Sequence, residues 1–116
     1  MVRWRTMPLA PSTSAAVKEF AARARARLGA RRVGRVVLFG SHARAEARDD
    51  SDVDLLVVVE GLTSVDGRDI DAIVGEILTR TDVLLSPLVL SAARYDELRA
   101  RERCLVGDID REGIAV

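Results

Sequence analysis

The stretch Leu38–Val59, LFGSHARAEARDDSDVDLLVVV, decides how the rest of the chain is read. It opens with the end of an apolar run, Val36-Val37-Leu38-Phe39, and closes with another, Leu55 to Val59. Gly40-Ser41 marks the exit of the first run, and Ser51-Asp52-Val53-Asp54 leads into the second. Two strand-type runs joined by a short polar connection favour antiparallel pairing. That pairing sets Gly40-Ser41 and Asp52/Asp54 at one edge of one sheet. Side chains at i and i+2 of a strand share a face, so the two carboxylates are expected to aim at one spot.

Such an edge suits phosphate chemistry. Mg²⁺ takes one or two carboxylates together with phosphate oxygens. Two such ions about 3.5–4 Å apart clamp an in-line phosphoryl displacement. Gly40 admits close backbone approach to a ligand, and Ser41 offers a hydroxyl and an N–H to phosphate.

Gly40-Ser41-His42-Ala43-Arg44-Ala45-Glu46-Ala47 followed by Ser51-Asp52-Val53-Asp54-Leu55 resembles the nucleotidyltransferase motif of the DNA polymerase β superfamily, in its minimal bacterial form. The family motif has Gly where this chain has Ala45. The resemblance implies a metal-dependent transfer of a nucleotidyl group, AMP from ATP, to a hydroxyl. It implies Asp52 and Asp54 as catalytic metal ligands, and Gly40, Ser41 and Arg44 as nucleotide-binding residues. It also implies a third carboxylate on the third strand. Asp82, just ahead of that strand, is the nearest candidate. Minimal members commonly work beside a helical protein of the HEPN type, so a toxin partner is implied as acceptor. A non-catalytic antitoxin of the same fold, binding a helical partner, is the alternative; self-association is a further one.

The remaining sequence frames this core. A chain of 116 residues makes one domain. Residues 1–12, with two prolines, are expected to form a loose arm, and residues 13–116 the domain. Thr13 or Ser14 is the expected cap of a first helix, with apolar positions at Val17, Phe20, Ala21, Ala24 and Leu28. Val33 to Phe39 is the first strand, His42 to Arg48 a short helix, and Asp52 to Glu60 a second strand. The second strand's unbroken apolar run requires cover on both faces. Asp66-Gly67 reads as a turn, and Ile70, Ile73, Val74, Ile77 and Leu78 form a helical stripe. Val83 to Leu90 is the third strand, and Pro87 within it calls for an edge position or a bulge. Ser91 caps a last helix containing Tyr95, Leu98 and Leu105. The fold expected is α/β (α+β): a three-stranded mixed sheet flanked by about four helices in the order αβαβαβα.

Composition removes other classes. Eighteen basic residues balance eighteen acidic ones, which argues against a dedicated nucleic-acid binder. The cluster Arg23, Arg25, Arg27, Arg31 and Arg32 is either a solvated face or a contact for phosphates or an acidic partner. No Gly-Lys-Ser/Thr or GxGxxG motif is present. Cys104 is the lone cysteine, which excludes an internal disulfide. With no signal-type leader and no long apolar run, a cytoplasmic location away from membranes is expected. Asp69-Ile-Asp71 and Asp108-Ile-Asp110 repeat the carboxylate spacing. In a helix, i and i+2 do not share a face, so these pairs are read as helix-dipole complements.

Overall fold

The computed structural model of the protein describes residues 9–43, 52–101, 107, 109 and 111–116. Helix α1 spans Pro11–Leu28, earlier than a cap at Thr13 or Ser14 would give. Proline is suited to the first turn, where its missing N–H costs nothing, and Ser14 N–H donates to Ala10 O at 2.9 Å. Pro11 and Ser12, expected in the arm, thus belong to α1, and Leu9 packs against the core. Strand β1 is Val33–Phe39, α2 Gly40–Ala43, β2 Val53–Val59, α3 Ser64–Thr81, β3 Leu85–Ser91, α4 Ala92–Ala100 and β4 Ile114–Ala115.

The sheet order is β3-β2-β1-β4. Strands β1 and β2 pair antiparallel, as the short connection requires, with Phe39 opposite Asp54. Strands β2 and β3 pair parallel, with α3 as the crossover. Strand β2 is central, and every residue in it except Asp54 is buried. Its period-2 alternation divides the core between two faces. Val53, Leu55, Val57 and Val59 pack with Val17 and Phe20 of α1 and Ile70, Ile73 and Ile77 of α3. Leu56 and Val58 pack with Val37, Tyr95 and Ile109 on the α4 side. Strand β3 is the outermost strand on its side among the described residues, where Pro87 removes no needed ladder bond.

Three expectations are corrected. The sheet has a fourth strand, because Ile114 and Ala115 pair with Leu38 and Val37 of β1, and Val116 N–H donates to Val36 O at 2.9 Å. Asp66-Gly67 is not a turn. Asp66 is the third residue of α3, and its carboxylate accepts from Thr63 N–H at 2.9 Å while Thr63 Oγ1 accepts from Asp66 N–H. That reciprocal capping box satisfies two donors which a helix start leaves open. Strands β2 and β3 begin at Val53 and Leu85, inside the predicted boundaries, and the short helix starts at Gly40 rather than after Ser41. Leu105, Asp108 and Asp110 lie outside the described residues, as does the expected helical stretch beyond Ala43.

Candidate active site

The site is built where β1 ends and β2 begins. Ala43 is buried in the core and holds α2 down at the sheet end. Gly40, the first residue of α2, follows Phe39 with φ +75°, a region that L side chains rarely enter. A Cβ on Gly40 would fall inside van der Waals contact of Asp54 Oδ2, with Asp54 Cγ at 3.2 Å and Cβ at 3.3 Å. Glycine is required twice over: by backbone conformation, and by the closeness of the turn to the carboxylate. The Gly-Ser turn and the second aspartate, far apart in the spacing of the motif, meet here.

Asp54 is half-buried on β2, and Ser41 and His42 are half-buried on α2. Asp52 is exposed and precedes the strand by one residue; Val53 N–H, just after it, donates to Leu84 O at 3.0 Å. Arg44 and Ser51 lie outside the described residues. Asp82 is exposed and terminates α3 in the left-handed region (φ 61°, ψ 12°), its N–H donating to Leu78 O at 2.8 Å. Among the described residues, no three His, Cys, Asp or Glu side chains gather into a group able to hold a metal. Asp82 therefore does not join Asp52 and Asp54 in such a group. The residue beside Asp54 on β3 is Ser86, which is exposed. Sequence alone does not single out Ser86, because only the strand register reveals its neighbour.

The arginine cluster resolves into ties between α1 and α3. Arg23 pairs with Glu76 and Glu19, and Arg27 pairs with Asp69 at 3.2 Å. Arg80 of α3 pairs with Glu19 of α1. Arg25 donates to Val116 O at 2.8 Å. Arg32 forks onto Asp66, and also donates to the carbonyls of Leu28, Glu60 and Gly61. The Arg32 guanidinium, helped by the Thr63 N–H, holds the Asp66 carboxyl below its ordinary range, against the opposing effect of burial. Arg80, ahead of Arg23, does the same for Glu19. Four of the five clustered cations are thus engaged within the molecule. Among the described residues no helix is long and apolar enough to cross a membrane.

Residues 17–102 match the family model described as "Nucleotidyltransferase domain", and the chain belongs to that family. A protein of Methanocaldococcus jannaschii named a "putative protein adenylyltransferase" is 34% identical over 59 residues. That alignment takes in 50% of this chain, and the chain spans only 60% of that relative's length. Among solved structures, a "putative nucleotidyltransferase" from Sulfolobus solfataricus aligns over 95% of this chain and 90% of its own, at 18% identity and a TM-score of 0.47.

Proposed function

We propose that the chain transfers a nucleotidyl group, AMP from ATP, to a hydroxyl, using Asp52 and Asp54 as ligands for Mg²⁺. The observation that carries this reading is the packing of the Gly40 backbone against the Asp54 carboxylate at one sheet edge. The donor set fits the ion: both groups are hard carboxylate oxygens, and the Gly40 backbone packs closely against that of Asp54. Mg²⁺ would supply charge neutralisation for the triphosphate and the developing transition state. The protein's own residues position the reactants, which is most of what phosphoryl-transfer catalysis demands. The Gly40-Ser41 turn offers backbone and hydroxyl contacts to the phosphates, and the half-buried Asp54 is fixed by the β1–β2 ladder. In the reaction the acceptor oxygen bonds to the α-phosphorus, the bond to the bridging oxygen of the β-phosphate breaks, and pyrophosphate leaves. The acceptor's proton passes to solvent; Asp82, the carboxylate that the family resemblance nominates, does not gather with Asp52 and Asp54. The acceptor proposed is a protein hydroxyl, on a helical HEPN-type toxin partner. The relative named as a protein adenylyltransferase supports a protein acceptor; the helical toxin partner is what the family resemblance implies.

One observation favours a second reading, a non-catalytic binding protein of the same fold: β3 carries no acid, and Ser86 stands beside Asp54. Calorimetry of ATP with Mg²⁺ tests the first reading. Asp54→Ala is expected to weaken binding at least tenfold and Asp52→Ala to weaken it less, because Asp52 is the more exposed. Equal affinities for wild type and the doubly substituted protein would remove the metal role. Transfer of label from α-labelled ATP to the partner then separates catalysis from simple binding.

A further inference from the structure

We infer that Ser86 is the acceptor-side residue of this site, a positioning hydroxyl lying where the attacking group arrives. The inference rests on the nucleotidyl-transfer reading of Asp52 and Asp54. Register and face carry it. Asp54 pairs with Phe39 on one side and with Ser86 on the other. Leu56 and Val58 of β2, and Leu88 and Leu90 of β3, all belong to the α4-side cluster, and Phe39 packs against it. By the period-2 rule Asp54 and Ser86 share that face, and paired residues on one face bring their Cβ atoms to about 5 Å.

The two flanks of Asp54 differ. The β1 flank is filled by Phe39 and the Gly40-Ser41 turn, which approaches the carboxylate to van der Waals limits. On the β3 flank, among the described residues, β3 is the outermost strand and Ser86 is exposed. In-line displacement puts the attacking and leaving oxygens on opposite sides of phosphorus. With phosphates and departing pyrophosphate on the Gly40-Ser41 flank, the acceptor enters across β3 and over Ser86. The hydroxyl can donate to or accept from the incoming oxygen, but it is not a base at neutral pH. Its task is orientation, and proton removal falls to another group or to solvent.

Mn²⁺ titration followed by electron paramagnetic resonance, without nucleotide, reads whether Ser86 faces the metal position. Ser86→Asp is expected to tighten Mn²⁺ about tenfold, the gain from one more negative charge about 5 Å from a divalent ion in a water-exposed setting. The gain should vanish when Asp52 and Asp54 are both Ala. Calorimetry with ATP and Mg²⁺ then assigns the flank. Ser86→Ala should stay within twofold of wild type, whereas Ser41→Ala should weaken binding several-fold. Unchanged Mn²⁺ affinity in Ser86→Asp would overturn the inference while leaving the metal role of Asp54 standing. So would a loss in Ser86→Ala equal to that in Ser41→Ala. Wild-type Mn²⁺ binding by the Asp52→Ala/Asp54→Ala protein would instead remove the parent reading, and this inference with it.

Discussion

Substituting Gly40 by alanine tests the geometry that defines the site. Two penalties act at this position. A non-glycine residue held at positive φ costs about 1–2 kcal/mol. The added Cβ also meets Asp54, inside contact distance of Oδ2 and 3.2 Å from Cγ. The clash can be relieved only by moving Asp54 or by opening the Phe39–Asp54 end of the β1–β2 ladder. Gly61 provides an internal control. It has φ +63°, yet a Cβ there meets nothing within 4 Å. Gly61→Ala should therefore pay the backbone cost alone, about 1–2 kcal/mol, lowering Tm by roughly 5–10 °C. Gly40→Ala should lose more than that and, unlike Gly61→Ala, should weaken ATP·Mg²⁺ binding as far as Asp54→Ala does. Thermal unfolding and calorimetry on the three variants supply the comparison. If Gly40→Ala melted with Gly61→Ala and bound nucleotide like wild type, the close approach would carry no functional weight.

Asp66 has its pKa lowered, chiefly by Arg32, so its contribution to stability is fully present above the unfolded carboxylate value of about 3.9. It is lost as pH falls through the lower folded value. Urea midpoints at pH 7, 5 and 3 should show a steeper acid loss for wild type than for Asp66→Asn; parallel profiles would contradict the assignment. Asp82→Asn should preserve the fold, since asparagine tolerates the left-handed region, and should leave turnover within a few-fold of wild type. A fall of about 10²–10⁴ in labelled-ATP transfer would instead identify Asp82 as a positioned general base.

Much of this arrangement is legible in the residues. The apolar runs and the stripe Ile70, Ile73 and Ile77 give the alternation of elements, and the unbroken Leu55–Val59 run places β2 at the centre. Pro87 calls for an edge position or a bulge in β3. The fourth strand is not legible, because Ile114-Ala115 is too short to show a period and depends on a long-range pairing with β1. Asp66-Gly67 misleads because the same dipeptide suits a turn and a helix start. Thr63, three residues before Asp66, is the signal that settles it. The arginines look like an external patch in sequence because their partners Asp66, Asp69 and Glu76 sit dozens of positions away. For the candidate site, the motif nominates Gly40, Ser41, Asp52 and Asp54, and the fold sets the Gly40 backbone against the Asp54 carboxylate. Ser86 stays hidden, since parallel register is set by packing rather than by any local pattern.

The Arg32 fork has a consequence for how the molecule breathes. It binds the end of α1, the β2–α3 turn and the start of α3 together, and Glu60 N–H donates to Arg32 O at 2.7 Å. All of this lies where β1 starts and β2 ends, at the opposite end of the sheet from Gly40 and Asp54. One end of the hairpin is cross-tied by a multidentate side chain. At the other, the described contacts include the β1–β2 ladder and the approach of Gly40 to Asp54. The tie is expected to slow opening of the hairpin at the Val33–Val59 end. Amide exchange is expected to be slowest at that end, where the side chain fastens the helices that hold the core.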